Sequence, residues 1–160
     1  MIPLLPKIAV KKKDIQRGRY LGKYQTRWYR TLRGENINGE VKWTETDISR
    51  QQLKSVIARV TRTGDRIRVT GFVLNDGSPL RSVEVQVDDG PWRPATLDAG
   101  NSRYAWKLFS CSWDGAQPGE HTLVSRVTDA SGRTQPIAKE LETKLTFLEN
   151  NAQWPRRVSV

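Results

Sequence analysis

Beyond Thr63, hydrophobic and polar positions alternate with a period of two. Ile67, Val69 and Gly71 interleave with Arg66, Arg68 and Thr70, and Val83, Val85 and Val87 interleave with Glu84, Gln86 and Asp88. Successive side chains of a strand point to opposite faces, so this pattern predicts strands with one buried face. Turn-forming runs separate them at Asn75-Asp76-Gly77-Ser78-Pro79 and Asp88-Asp89-Gly90-Pro91. Further strands are predicted over residues 92–97, 104–109, 121–128, 138–146 and 156–160, with breaks at 98–101, 114–119 and 129–132. About seven short strands with frequent turns predict an all-β fold, an immunoglobulin-like antiparallel β-sandwich.

The beginning of the chain follows a different pattern. Residues 1–48 are expected to form an irregular basic arm or connector, and residues 49–160 the sandwich domain. Within the arm, Asn38-Gly39 is a turn signal leading into a β-like run through Val41, Trp43 and Ile48. From Lys11 to Arg33, aromatic residues are interleaved with basic ones, and Tyr20, Tyr24 and Trp28 stand four apart. That spacing puts them on one face if the stretch is helical. Gly18 and Gly22, each costing a helix about 1 kcal/mol relative to Ala, keep an extended arm as the alternative. In either form Tyr20, Tyr24, Arg27 and Trp28 are candidate docking residues for a partner surface.

Charge sharpens this division. The net charge of the 160 residues is +10, and residues 1–62, with 15 basic and five acidic side chains, carry all of it. Arg and Lys among stacking aromatics also match a single-stranded nucleic-acid surface, where charge follows the backbone and rings stack on bases. A polyanion or nucleic-acid binder is therefore a second reading of the arm, less favoured than a protein-docking one. No run approaches the roughly 18 apolar residues of a membrane span, and no membrane partner is expected.

The residue inventory argues against a self-sufficient catalyst. A zinc or iron site needs three or four converging Cys, His or carboxylate ligands, and the chain has one Cys and one His. Cys111, in Phe109-Ser-Cys-Ser-Trp113, is expected to be a neutral residue at a strand end. His121 is expected to face solvent, and the pairs Asp88-Asp89 and Glu140/Glu142 to be solvated surface. No P-loop, G-x-G-x-x-G or G-x-S-x-G motif is present.

Four stretches carry a family resemblance. They are Val83-Glu-Val-Gln-Val-Asp-Asp-Gly90-Pro-Trp92 with Ala95 and Leu97; Ala105-Trp106-Lys-Leu108; Gly119-Glu-His-Thr-Leu123 through Thr128-Asp129 to Gly132-Arg-Thr-Gln135-Pro136; and Asn150-Asn151-Ala-Gln-Trp154-Pro-Arg-Arg157-Val158. Together, over roughly residues 40–160, they resemble the C-terminal dimerisation domain of the sulfite oxidase family, which includes plant-type nitrate reductases. The resemblance implies an immunoglobulin-like sandwich that forms a homodimer and belongs to a molybdenum oxidoreductase. In that family a preceding domain holds molybdenum on a pyranopterin and a Cys thiolate. No cofactor is expected in this chain, which would begin where that domain ends, so the sandwich is not catalytic alone and pairs with a molybdenum-cofactor domain in cis or in trans.

One functional position is carried over from the resemblance. An arginine of the family's terminal segment reaches toward the anionic substrate, and Arg157 holds that place here. Pro155 and Arg156 after Trp154 depart from the family pattern, which leaves open whether Arg156 or Arg157 faces the anion. The alternative is a basic surface cluster at a chain end. Trp92, Trp106 and the valine stripe are expected to be core or sheet-contact residues. The family also suggests a periplasmic location, while the sequence leaves the parent substrate and the compartment open.

Overall fold

The computed structural model describes residues 30–47, 51–142, 145 and 149–160. The chain divides into two compact units, residues 1–49 with 145–149 and residues 50–144 with 150–160. The candidate residues Tyr20, Tyr24, Arg27 and Trp28 lie outside the described part.

In the first unit, β1 (Arg30–Ile37) and β2 (Glu40–Asp47) form an antiparallel hairpin. Its two-residue loop is the predicted Asn38-Gly39, with φ of 55° and 87°, the left-handed pair of a type I′ turn. The described end of the expected irregular arm is thus regular. Gly34 donates to the Leu145 carbonyl at 2.9 Å, and Arg33 pairs with Glu149 at 2.9 Å.

The second unit is the sandwich. One sheet runs β3 (Lys54–Thr63), β4 (Arg66–Leu74), β8 (Lys107–Trp113), β7 (Thr96–Leu97). The other runs β10 (Arg156–Ser159), β9 (Glu120–Asp129), β5 (Leu80–Val87), β6 (Arg93–Pro94), and all pairings are antiparallel. Alternation sets the inner faces. Ile67, Val69 and Val73 from one sheet meet Val83, Val85, Leu123 and Val127 from the other, closed by Ile57, Phe109 and Trp113. Gly71 also points inward, because it stands directly opposite Phe109, whose ring fills the volume a Cβ would occupy.

Several elements differ from the sequence reading. The strand β3 was not predicted, because a bulge between Ile57 and Arg59 breaks its alternation. The single strand expected over residues 92–97 is two short ones on different sheets. At Ala95, whose N–H still bonds the Val83 carbonyl at 2.8 Å, the chain leaves β5 and crosses to β8. The strand expected over 104–109 lies later, as β8. Where a strand was expected to begin at residue 138, residues 138–141 form a single helical turn, α1 (Ala138–Leu141), which Glu140 starts by accepting the Ile137 N–H at 2.8 Å; residues 143, 144 and 146 of the expected strand lie outside the described residues. Glu140 and Glu142 therefore do not share a strand face.

Candidate functional site

The terminal segment that carries Arg156 and Arg157 is held by a chain of polar contacts beginning at Asp129. The buried Asp129 carboxylate accepts from Ser131 N and Oγ and from Arg133 N at 3.0, 2.7 and 3.0 Å, and from Arg133 Nε at 2.7 Å. These bonds, led by the Ser131 hydroxyl, lower its pKa from the ordinary 3.8, and the carboxylate so held folds the chain back after β9. Gln135 then bonds the Val127 carbonyl through its N–H at 2.9 Å and points its side chain inward, fully buried.

That side chain meets the free edge of β3. Gln135 Oε1 accepts from Ser55 N at 2.9 Å and from Ser55 Oγ at 2.7 Å, while Nε2 donates to Ser55 O at 3.3 Å and to Ala152 O at 3.1 Å. The carboxamide thus replaces the neighbouring strand that β3 lacks at Ser55. Two residues along the edge in each direction, Asn151 Nδ2 donates to Leu53 O at 3.0 Å and Arg156 Nη1 donates to Ile57 O at 3.2 Å. Leu53, Ser55 and Ile57 would otherwise present unpaired groups to an incoming strand, and three side chains occupy them. Gln153 ties the segment further, through Nε2 to Gln135 O and N to Pro136 O, both at 2.8 Å.

This clamp distinguishes the two arginines. Arg156 stands opposite Leu123, and although the residue is exposed its guanidinium bonds the Ile57 carbonyl of β3. Arg157 stands opposite Thr122, on the outer face of β9, where it is exposed and makes no side-chain bond within the described residues. A free guanidinium can take an oxyanion through two parallel N–H bonds and stays charged throughout the physiological range.

His121 differs from its expected solvent-facing place. It lies inward at the sandwich end, edge-on to Trp113, with Nδ1 2.9 Å from Asp88 Oδ2 and Nε2 2.8 Å from Gln117 O. Both partners are acceptors, so the doubly protonated ring satisfies them best. The Asp88 bond chiefly raises the His121 pKa from 6.5, and the same bond chiefly lowers that of Asp88 from 3.8. Asp88 is correspondingly not merely solvated, since its other oxygen accepts Thr122 N at 2.9 Å. Trp92 is half-buried under the Arg126 guanidinium, 4.1 Å from its ring centroid. Trp106 is on the surface, 62% exposed, stacked on Phe72 at 4.7 Å, so it belongs to a sheet face and not to the core.

Among the described residues no three His, Cys, Asp or Glu side chains converge. Cys111 lies within β8, opposite Val69, and burial pushes its thiol pKa above the ordinary 9.0.

Among solved structures the fold is similar to the sulfane dehydrogenase SoxCD from Paracoccus pantotrophus. The TM-score is 0.65 and the identity 22%, with 86% of this chain and 36% of that chain covered. This chain therefore spans about a third of the length of that one, and the likeness shows a shared fold. The PKD1 domain of Vibrio anguillarum Epp matches at a TM-score of 0.38 and 16% identity, over 67% of this chain and 95% of that domain. No protein-family model and no curated protein matches this chain.

Proposed function

We propose that this chain is the β-sandwich interaction module of a sulfite-oxidase-type molybdenum oxidoreductase. It pairs with a second copy of itself and packs against a molybdenum-cofactor domain, in cis or in trans, that performs the chemistry. Arg157 is its contribution to the substrate pocket, where it binds a sulfur oxyanion such as sulfite. The observation that carries this reading is the fold shared, over 86% of this chain, with an enzyme named for dehydrogenating sulfane, taken with the four sequence stretches that resemble the sulfite oxidase family. The free Arg157 beside the tethered Arg156 supports the assignment of the anion contact to Arg157.

Isolation of the protein from its source cell, with measurement of molybdenum and of the polypeptides that accompany it, tests the reading. Molybdenum is expected on a co-purifying or covalently continuous cofactor domain. Molybdenum held by the 160 residues alone, or no molybdenum-bearing partner at all, overturns it. Sedimentation of the chain over a concentration series tests the dimer, which a strict monomer refutes.

A further inference from the structure

The outer faces of the two sheets differ in how their charges are met. On the β10–β9–β5–β6 face, Arg126 pairs with Glu84 at 2.9 Å and lies over Trp92. The outer face of β3, β4 and β8 carries Arg59, Arg66 and Arg68, all exposed, and among the described residues none of the three forms an ion pair. The strand register gathers them. Arg66 and Arg68 stand two residues apart on β4, about 7 Å, and Arg59, opposite Thr70, is the diagonal neighbour of Arg68 at about 7–8 Å. Three like charges so placed repel one another, and the Arg68 guanidinium donates to a hydroxyl, Ser110 Oγ at 3.1 Å, where a carboxylate would neutralise it. Asp98 lies away from them, on the β7 side, and accepts Gly100 N at 3.0 Å.

A groove of about 630 Å³ adjoins Arg68 and is lined by Thr70, Ser110 and Thr96, which stand in one row across β4, β8 and β7. Beyond that row the face turns apolar. Phe72 and Leu108 are directly opposite each other, Trp106 stacks on Phe72 at 4.7 Å, and Leu108 is 52% exposed. From Arg68 to Phe72 is four residues of strand, about 13 Å. The face thus passes from unmatched positive charge to exposed apolar surface within the reach of one short extended segment. Arginine and large aromatics are the residue types that concentrate in protein contacts, and all three cations are arginine. A nucleic-acid strand instead needs rings open to successive bases, whereas Phe72 and Trp106 cover one another.

We propose that this face docks an acidic segment of a partner protein. Carboxylates of the segment take paired N–H bonds from Arg59, Arg66 and Arg68, and an apolar side chain of it rests against Phe72, Trp106 and Leu108. The proposal stands apart from the molybdenum reading and concerns the sheet that does not carry Arg157.

Fluorescence anisotropy on the full chain tests it, with a labelled peptide in which a leucine is followed four residues on by three glutamates. Binding is expected, and it should weaken roughly fivefold between about 50 mM and about 300 mM salt. Arg59→Glu combined with Arg68→Glu should weaken it by roughly tenfold or more, and Leu108→Ser by roughly threefold or more. Arg126→Gln, on the opposite outer face, should leave it unchanged, and the same peptide with lysines for glutamates should not bind. Thermal melts establish that each variant is folded. Absence of binding by the glutamate peptide overturns the proposal, as does binding that survives the arginine reversals or is indifferent to Leu108→Ser. Tighter binding of a labelled oligo-dT, lost with the same two arginines, assigns the face to nucleic acid and overturns it equally.

Discussion

Replacing Gln135 with alanine removes the side chain that pairs β3 at Ser55 on the edge away from β4. Four bonds go at once: those from Ser55 N and Ser55 Oγ, and those to Ser55 O and Ala152 O. The Ser55 hydroxyl keeps Ser125 Oγ at 3.0 Å, so three backbone groups are left without these bonds. At about 1–3 kcal/mol for each buried group left unsatisfied, and with water entering the vacated volume to recover part of it, the loss is about 3–5 kcal/mol. That is a large fraction of the roughly 5–15 kcal/mol that holds a domain folded. Urea unfolding followed by tryptophan fluorescence measures it. Gln135→Glu isolates the donor role, because it keeps an acceptor toward Ser55 N but turns an oxygen on two carbonyls. The carboxyl is then more stable protonated in the folded state than in the unfolded chain, where its pKa is about 4.3. Its folded pKa is raised, so the variant loses stability as pH climbs from that value through the folded one. A loss below about 1 kcal/mol for Gln135→Ala, or a pH dependence of Gln135→Glu that parallels the wild type, would refute the clamp.

Three further expectations follow from particular contacts. Gly71→Ala places a Cβ onto the Phe109 ring and the Val56 carbonyl and should cost about 2–3 kcal/mol, with partial recovery on adding Phe109→Leu; equal stability by thermal melting would contradict the packing. The His121–Asp88 pair contributes stability that is complete below 6.5 on the histidine side and lost as pH rises through its raised folded value, while the Asp88 part is lost as pH falls below 3.8. The melting temperature should therefore fall more between pH 5 and pH 9 in the wild type than in His121→Asn, and equal slopes would contradict it. Arg156→Ala should lower stability by about 1 kcal/mol through the lost bond to Ile57 O, whereas Arg157→Ala should change it by less than about 0.5 kcal/mol and weaken substrate use by the assembled enzyme. Chemical denaturation and substrate titration separate the two arginines, and the reverse pattern would reassign the anion contact.

What the sequence showed of the fold and site depended on how far apart the interacting residues lie. The Asn38-Gly39 hairpin, β4, β5, β9 and β10 were legible because turn chemistry and period-two alternation are local properties. The same rule missed β3, where one bulge moves the inward side chains from Ser55 and Ile57 to Val60. It also misread residues 138–141 as strand, although Ala, Lys, Glu and Leu are all good helix formers. Gln135 and Asn151 stood inside the family-like stretches with no sign of their task. Their partners are 80 and 98 residues away, beyond anything spacing can register.

By itself the sequence determined an all-β chain with a basic beginning and a remainder whose charges balance, too poor in His and Cys for a soft-ligand metal site. It offered Arg156 and Arg157 as equivalent candidates, since adjacent residues of one type carry the same chemistry. Only the tertiary structure separated them. The β10 register sends neighbouring side chains to opposite faces, so Arg156 reaches the unpaired edge of β3 and bonds the Ile57 carbonyl while Arg157 does not. The exposed strip at Trp106 was decided in the same way, by which face of its sheet the closed core had no room to cover.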